Sequence, residues 1–383
     1  MPQTAASDRP LHVLVATPAG GTGQGGIDRI MASLRGALER SGRRDISVRF
    51  MATRGNGPLA LSWFHLLRFC AAMLLARLCG RLDLVHVNLA SRGSTYRKLI
   101  VTAFARLLRV PYVLHLHGAE YRSFWSDKDT FINRRIAAMF ENAGRIIVLG
   151  SPWQAFVAQR VPTASERIVI VANAVEPPRL PHVGGGAEVH ILFLGRIEER
   201  KGVAQLVKAL SQMRDQPGWR ATIAGDGAVH NLRHEISGLG LGDRVSVPGW
   251  QGGDDVDRLL AGSDILTLPS FAENLPMSII EAMASGLGIV ATPVGAVGDI
   301  VRHEETGLLV APGDDTALAQ ALLRMVRDTD LRLRLGAAGQ AFQRDHLMIA
   351  PYATKVCSVW VDAIAGDVRE PAAVVQPAAG SRN

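Results

Sequence analysis

The stretch that decides the fold is residues 11–41, which read LHVLVATPAGGTGQGGIDRIMASLRGALERS. Residues 11–16 form a largely apolar, β-branched run, which is typical of a strand buried on both faces. A loop rich in glycine follows, and Gly26–Ser41 is predicted to be a helix. A buried strand, a glycine-rich loop and a helix in this order are typical of the first unit of a doubly wound parallel sheet.

The same alternation continues along the chain. It predicts further strands in the first half at residues 46–51, 84–87, 112–116, 145–149 and 167–171. The alternation then restarts and predicts strands at residues 189–194, 220–224, 245–247, 265–268, 288–291 and 308–310. Because parallel neighbours require a crossover connection, we predict an α/β fold of two facing, doubly wound parallel sheets. Such sheets bind ligands at the carboxyl ends of their strands, so the functional site is expected in the cleft between them.

A break in the pattern divides the chain. Residues 175–186 carry three prolines and three glycines without an apolar period, which is typical of a linker. We therefore expect one domain over residues 1–180, a second over 187–347, and a final helix within 348–366 that packs back on the first domain. The remaining residues, 367–383, are rich in Ala, Pro and Gly and are predicted to be disordered.

Composition fits this organisation. The 383 residues suffice for two domains, and 48% hydrophobic with 20% charged residues is the balance of a folded protein. Three cysteines without a Cys-x-x-Cys pair suggest neither a disulfide framework nor a cysteine metal site. The most apolar stretch, residues 59–79, is interrupted by two arginines and a histidine, and the amino end does not resemble a signal peptide. We expect a cytoplasmic protein without a membrane-spanning segment.

The glycine-rich loop over residues 21–26 matches the Gly-x-Gly-x-x-Gly pattern, which raises a nicotinamide dinucleotide site as one alternative. Four residues separate the first strand from this loop, and the second strand ends without an acid for a ribose hydroxyl, which count against that reading. The glycines would also let backbone N–H groups approach a phosphate or a sugar. A plain turn is the third alternative.

The segment from Leu194 to Gly202 places Arg196 after a predicted strand and Lys201 at the start of the next helix. Two cations at the carboxyl edge of a sheet suit a diphosphate, because a guanidinium bonds two oxygens and an ammonium adds a point charge. The alternative is a solvated charged turn in which Glu198 and Glu199 pair with Arg200 and Lys201.

Two glutamates eight positions apart follow in the next motif. Pro276 is predicted as an early helical residue, Glu273 lies in the loop before it and Glu281 lies inside the helix. Glu281 is flanked by Ile279, Ile280, Ala282 and Met283, so we expect it to be buried with a partner. That partner would be a ribose diol or, alternatively, a structural salt bridge.

These segments, taken in order, resemble family 4 retaining glycosyltransferases of the GT-B fold. The resemblance rests on Arg196 with Lys201-Gly202, on Ala224-Gly225-Asp226-Gly227, on Glu273 and Glu281, and on residues 286–292 and 305–310. In the first half, Gly25-Gly26 resembles the family's early glycine pair, and residues 115–118, His-Leu-His-Gly, resemble its histidine loop. The sequence departs from the common pattern at Asn274, where the family usually has glycine, and at residues 173–176.

The resemblance implies a role for each matching residue. Arg196 and Lys201 would hold the donor diphosphate, Glu281 the ribose, and Glu273 the hydroxyls of the transferred sugar. His117 would lie near the sugar ring. Its sequence context alone, apart from the resemblance, favours a histidine with a purely structural role. The implied catalytic residues are His117 and Glu273; the implied donor-binding residues are Gly25, Gly26, Arg196, Lys201, Asn274, Leu275 and Glu281.

Charge is distributed unevenly between the two halves. Residues 1–180 contain 24 Lys+Arg and 11 Asp+Glu, a net +13, whereas the remainder contains 18 and 24, a net −6. Basic and apolar residues alternate in the predicted helices over residues 59–80 and 95–109, which suits an anionic membrane surface. Ordinary amphipathic helices are the alternative. No nucleic-acid-binding motif is present, so no nucleic-acid partner is expected.

The resemblance implies a retaining hexosyltransferase with a GDP- or UDP-sugar as donor and no metal or other cofactor. The resemblance of residues 89–98 and 117–121 to exopolysaccharide-assembly members implies a polyprenyl-diphosphate-linked glycan acceptor. The protein would then be peripheral on the inner face of the cytoplasmic membrane. Two other functions stay open at this point: an NAD(P)-dependent oxidoreductase that uses the Gly21–Gly26 loop, and a non-catalytic nucleotide-sugar-binding protein.

Overall fold

Two six-stranded sheets, parallel throughout, form the centres of two α/β units in the computed structural model, which describes residues 9–20, 23 and 25–366. The predicted disordered tail, residues 367–383, lies outside the described residues. The predicted class, two doubly wound parallel sheets, is confirmed.

The first sheet has the strand order β2-β1-β3-β4-β5-β6. Its strands are β1 (Leu11–Thr17), β2 (Ile46–Ala52), β3 (Leu84–Leu89), β4 (Tyr112–Leu116), β5 (Arg145–Val148) and β6 (Ile168–Ile170). Its helices are α1 (Gly26–Ser41), α2 (Ser62–Leu78), α3 (Gly93–Leu107), α4 (Tyr121–Phe124), α5 (Phe131–Glu141) and α6 (Ser151–Arg160). Every residue of β3 and β4 is buried, because helices cover both faces of the sheet centre.

The second sheet has the strand order β12-β11-β10-β7-β8-β9. Its strands are β7 (Val189–Leu194), β8 (Trp219–Ala224), β9 (Val245–Gly249), β10 (Ile265–Leu268), β11 (Gly288–Ala291) and β12 (Leu308–Leu309). Its helices are α7 (Val203–Gln212), α8 (Val229–Gly238), α9 (Gly253–Ala261), α10 (Met277–Ala284), α11 (Val297–Ile300), α12 (Asp315–Arg327) and α13 (Thr329–His346). The strand order reverses between β7 and β10, and this switch point is where such sheets bind ligands.

The helix boundaries follow local capping signals. The Asp314 and Asp328 carboxylates accept hydrogen bonds from Ala317 N and Leu331 N, which begins α12 and α13. The single helix predicted over residues 59–80 instead begins with a separate 3-10 turn, Leu59–Leu61, before α2. Pro276, predicted as a helical residue, is the extended N-cap of α10, so that prediction was one residue early.

A last helix, α14 (Ile349–Ala365), contacts α1 and strands β3, β4 and β5 of the first sheet. The chain returns to the first unit beside the linker, where Val175 N donates to Leu347 O at 3.0 Å. The indole of Trp360 in α14 is fully buried against that sheet. Residues from the end of the chain thereby become part of the core of the first unit.

Candidate active site

A cleft of about 740 Å³ lies between the carboxyl ends of the two sheets. All nine predicted site residues line it, namely Gly25, Gly26, His117, Arg196, Lys201, Glu273, Asn274, Leu275 and Glu281. Gly25 is the N-cap of α1, and a Cβ built on Gly25 or Gly26 would meet no atom within 4 Å. The glycine loop therefore presents open backbone to the cleft.

Arg196 and Lys201 lie on one loop between β7 and α7. Lys201 ends a 3-10 turn, Glu199–Lys201, rather than starting the helix as predicted. The loop rests on the turn after β8, where Ile197 N donates to Asp226 O at 2.6 Å. A Cβ on Gly225 would lie 1.7 Å from Gly195 O, so only glycine permits this close approach.

Lys201 forms an ion pair with Glu273 on the opposite loop, with 2.5 Å between Nζ and Oε1. The Ser270 hydroxyl donates to the same carboxylate oxygen at 2.8 Å, and the guanidinium of Arg200 lies 3.8 Å from the other oxygen. The charged-turn alternative holds in part, because Glu198 pairs with Arg200 at 2.6 Å and with Arg196 at 3.7 Å. Lys201 instead pairs with Glu273 across the loops, and the Arg196 side chain stays largely exposed at the cleft.

Glu281 is paired across the cleft with Arg29 of α1. Burial raises the pKa of the Glu281 carboxyl, and the nearby Arg29 charge opposes that rise. Arg29 occupies one carboxylate oxygen, whereas Oε2 is buried without a hydrogen-bond partner among the described residues. The salt-bridge alternative and a ribose contact are therefore compatible, because each would use a different oxygen.

Three buried acceptor oxygens in the cleft wall lack partners in the described part of the chain: Asn173 Oδ1, Asn274 Oδ1 and Glu281 Oε2. The amide nitrogens of the two asparagines are already bonded, Asn173 Nδ2 to Leu275 O at 2.8 Å and Asn274 Nδ2 to Leu116 O at 3.0 Å. A buried acceptor without a donor is unfavourable, so these oxygens suit a ligand that carries hydroxyl groups. The backbone at Asn274 does not take a left-handed conformation, so its side chain and not its φ distinguishes this position.

His117 follows β4 and lies at the floor of the cleft. Its Nε2 lies 2.9 Å from Asn88 Oδ1, an oxygen that can only accept, so Nε2 carries the proton. Burial, with a smaller contribution from His86, lowers the pKa of His117 to about 3. The ring is therefore neutral at physiological pH, with Nδ1 as an acceptor.

A chain of buried rings connects this histidine to α14. The Trp360 indole N–H donates to His86 Nδ1 at 2.9 Å, and His86 Nε2 lies 3.3 Å from His115 Nδ1. The His115 ring in turn lies against that of His117, with 3.9 Å between centroids. An indole N–H can only donate, so it selects one tautomer for His86 and thereby for His115. Burial lowers the pKa of His86 to about 4 and that of His115 well below its usual value.

These histidines predict a pH dependence of stability. In the unfolded chain their pKa values return to about 6.5, so between that value and about 4 the unfolded chain binds more protons than the folded one. The free energy of unfolding should therefore fall as pH is lowered from about 6.5 towards 4. Thermal unfolding of His86→Gln should show a shallower fall than the wild type. The exposed control His234→Gln should keep the wild-type slope, and equal slopes in all three proteins would contradict the prediction.

Two family profiles match consecutive parts of the chain. Residues 11–179 match Glycosyltransferase Family 4, and residues 185–342 match Glycosyl transferases group 1. The chain is a family 4 glycosyltransferase. The predicted family and enzyme class are confirmed, and the oxidoreductase alternative is thereby replaced.

Relatives of this glycosyltransferase include proteins of exopolysaccharide synthesis. The putative colanic acid biosynthesis glycosyltransferase of Escherichia coli K12 is 27% identical over 67% of this chain and 66% of its own length. The amylovoran biosynthesis glycosyltransferase of Erwinia amylovora is 26% identical over 56% and 51%. The 2-deoxystreptamine glucosyltransferase of Streptomyces kanamyceticus is 28% identical over 64% and 68%. The chain thus spans between 51% and 68% of the length of these relatives.

Solved structures share the fold of this glycosyltransferase. Sucrose-phosphate synthase from Thermosynechococcus elongatus superposes with a TM-score of 0.76, 19% identity and coverage of 93% and 99% of the two chains. An Anabaena protein solved with UDP and glucose superposes with a TM-score of 0.70, 19% identity and coverage of 92% and 99%. At such identity these likenesses show the GT-B fold.

Two cleft residues of this glycosyltransferase, Arg29 and Asn173, escaped the sequence prediction, as did the buried Trp360–His86–His115 rings that lead to His117. Asn173 was noted only as part of a departure from the family pattern, at residues 173–176, yet it lines the cleft and its Nδ2 donates to Leu275 O. The signal available for Arg29 was its place one turn into the helix after the glycine loop. No local signal marks Trp360, because it meets His86 from 274 residues further along the chain.

Proposed function

We propose that this glycosyltransferase transfers a hexose, with retention at the anomeric carbon, from a nucleotide diphosphate sugar to a lipid-linked oligosaccharide. The observation that carries the proposal is that the Lys201–Glu273 pair, Arg196 and three unpartnered acceptor oxygens all line one cleft. Cations for a diphosphate and acceptors for hydroxyls are thus present in the same cleft. A nucleotide sugar carries both of these chemistries in one molecule.

In the proposed reaction, the bond between the anomeric carbon and the diphosphate oxygen breaks, and the electron pair leaves with the diphosphate. The acceptor hydroxyl oxygen bonds to the same carbon, and its proton passes to an oxygen of the leaving diphosphate. Negative charge develops on the leaving group, where Arg196, Lys201 and backbone N–H groups would stabilise it. These groups would supply the stabilisation without a metal, so we expect turnover to persist in EDTA.

Glu273 is assigned to orienting the sugar. Lys201 and Ser270 both bind its Oε1, and Arg200 lies near Oε2, so the carboxylate is held in place by charge and by hydrogen bonds. A held carboxylate with accepting capacity left on Oε2 can receive a sugar hydroxyl. A covalent role for Glu273 is the competing mechanism. Glu273→Gln with turnover intact would refute any role of its charge.

Trp250 offers a surface for the nucleobase. Its side chain lines the cleft beside Gly225 and Asp226, is half exposed, and follows β9 on the second unit. Aromatic faces stack on bases without reading their hydrogen-bond edges. Stacking on Trp250 would therefore accept a uridine or a guanosine nucleotide.

The experiment that tests the donor is thermal unfolding in the presence of a panel of uridine and guanosine diphosphate sugars. We expect at least one to raise the unfolding midpoint and then to support transfer to a polyprenyl-diphosphate-linked acceptor. Stabilisation without hydrolysis or transfer would indicate a binding protein. Stabilisation by none of the panel would refute the donor assignment.

A membrane surface is the proposed location of the acceptor. One face of α2 exposes six large apolar side chains, which we call the apolar face of α2: Trp63, Phe64, Leu67, Leu74, Leu75 and Leu78. The helix contains Arg68 and Arg77 and no acid. An exposed apolar face with arginines suits shallow insertion into an anionic bilayer. None of the helices in the described part of the chain has the length and apolarity to span one.

Helix α3 offers fewer exposed basic residues for the proposed membrane contact than the sequence predicted. Lys98, one of the basic residues of the predicted helix over residues 95–109, is only 2% exposed and donates to the Thr53 hydroxyl. Burial lowers its pKa to about 7. Tyr96, Ile100 and Leu107 are the exposed apolar residues of α3. Lys98 is thus a core residue, and α2 carries most of the proposed membrane contact.

Replacing two leucines of this face tests the membrane contact. The double variant Leu67→Glu/Leu78→Glu should bind vesicles of phosphatidylglycerol and phosphatidylcholine at least ~10-fold more weakly, because each exposed leucine would bury apolar area in the bilayer. Co-sedimentation with vesicles at low salt measures the effect. Leu333→Glu, at an exposed site on α13, is the matched control and should bind as the wild type does. Unchanged binding of the double variant would remove the membrane proposal.

A further inference from the structure

A second cavity, of about 510 Å³, lies beneath α2 in the first unit and shares no lining residue with the cleft. Its floor is formed by alternate residues of the two edge-side strands, which point to the same face of the sheet: His12 and Leu14 of β1, and Ser47, Arg49 and Met51 of β2. Its wall is the side of α2 that carries Arg68, Ala72 and Leu75. We call this cavity the α2 groove.

Small side chains create the groove. Ala71, Ala72 and Ala76 of α2 line it, so the carboxyl-terminal half of the helix leaves the sheet uncovered where larger residues would fill the space. Another side of the helix packs into the core through Leu66, Phe69 and Met73, which are buried. The α2 groove is therefore an elongated, mostly apolar cavity that runs along the helix.

Three arginines border the α2 groove: Arg49, Arg68 and Arg81. None of them forms an ion pair or a side-chain hydrogen bond with another described residue. The nearby carboxylate, Asp83, is bound by Arg9 at 2.7 Å and by the backbone N–H of His12 at 2.9 Å. The groove is therefore mostly apolar, with His12 and Ser47 on its floor, and positively charged at its border, and its described lining residues include no carboxylate to balance the arginines.

The groove is continuous with the apolar face of α2. Leu75 belongs to both, since it lines the groove and its side chain is 63% exposed. A chain that enters beside Leu75 would pass from the proposed membrane contact directly into the groove. The cleft for the sugar donor lies at the carboxyl ends of the strands, whereas His12 and Ser47 of the groove lie near their amino ends.

We infer that the α2 groove binds one anionic phospholipid of the membrane, with an acyl chain between α2 and the strands and the phosphate on the arginines. This inference rests on the proposed membrane contact and deepens it. Charge selects the lipid class, because guanidinium groups bond phosphate oxygens in pairs and a zwitterionic headgroup offers no net negative charge. Such a site would retain the enzyme at an anionic bilayer beyond what the exposed leucines provide.

The test uses lipid that is monomeric in solution, so that groove binding is measured without a bilayer. Native mass spectrometry and calorimetry of the full chain with dioctanoyl phosphatidylglycerol, below its micelle concentration, should give one bound lipid per chain. Dioctanoyl phosphatidylcholine should bind at least ~10-fold more weakly. Glycerol phosphate, which has the anion without the chains, should not bind measurably.

Two variants locate the site. Ala72→Phe fills the groove and should abolish binding of the soluble lipid. Arg49→Gln, an exposed substitution that leaves the apolar packing intact, should weaken it by ~10-fold. The Leu67→Glu/Leu78→Glu variant should lose vesicle binding but keep soluble-lipid binding, which separates the failure of the membrane contact from the failure of the groove.

Three results would overturn the inference. Equal binding of the zwitterionic lipid would remove the role of the arginines. Unchanged lipid binding by both Ala72→Phe and Arg49→Gln would place the lipid elsewhere. A dimer in light scattering that Ala72→Phe dissociates, without lipid bound to the wild type, would assign the groove to a second copy of the chain.

Discussion

Replacing Lys201 by methionine should lower turnover by about 10²–10³-fold, the loss typical of removing one group that stabilises developing negative charge. Methionine keeps much of the length and apolar volume of lysine and removes only the ammonium. In the proposed reaction that ammonium faces the leaving diphosphate and also holds Glu273 at 2.5 Å. Transfer assays with saturating donor measure the change in turnover.

The same substitution should also lower stability, and a double variant separates the two effects. Glu273 is 6% exposed, so removing its partner leaves a buried carboxylate and costs about 3 kcal/mol. Lys201→Met/Glu273→Gln should recover most of that free energy of unfolding but not the turnover. The control Lys208→Met, on the exposed side of α7, should match the wild type in both. Turnover within about twofold of wild type in Lys201→Met would refute the proposed role.

Replacing Gly202 by alanine should destabilise the second unit by about 3 kcal/mol. Gly202 has φ +70°, in the left-handed region, and a Cβ there would lie 1.9 Å from the Pro269 carbonyl oxygen. The backbone conformation alone costs about 1–2 kcal/mol for a residue with a Cβ, and the clash adds about 1–3 kcal/mol. Denaturant unfolding measures the loss.

The effect of Gly202→Ala should extend to turnover, because the clash separates two catalytic loops. Gly202 directly follows Lys201, and Pro269 begins the loop that carries Ser270 and Glu273. The matched control is Gly253→Ala at the start of α9, where an added Cβ meets no atom within 4 Å and a small gain in stability is expected. Equal stability of the two variants would contradict the close packing at Gly202.

The sequence predicted most of the fold because its signals are local. The apolar run at residues 11–16 became β1, and eleven further strands lie where short buried runs predicted them. The short helix α4 and the 3-10 turn before α2 were missed, since their few residues have no period to detect. The strand order of each sheet also lay beyond the sequence, because pairing depends on contacts between distant segments.

The candidate site, like the fold, was predicted only in part from the sequence. Arg196, Lys201, Glu273 and Glu281 were singled out by residue type and position, and the resemblance to the family implied the other five of the nine site residues. The hydrogen-bond and ion-pair partners of these residues could not be predicted from the sequence. Glu281 meets Arg29 across 252 residues, and Asn173 meets Leu275 across 102. The sequence likewise identified α2 as apolar and basic, but only its placement shows which leucines remain exposed.

By itself, the sequence determined the α/β class, the family and nine of the residues that line the cleft, because strands, turns and charged motifs are encoded within a few positions. The tertiary structure alone decided which charges neutralise one another, that Lys98 is buried while the leucines of α2 are exposed, and that α14 supplies a tryptophan to the histidines beneath the cleft. Ion pairing and burial depend on which surfaces meet when the chain closes on itself. That is a property of the assembled core and not of any one segment.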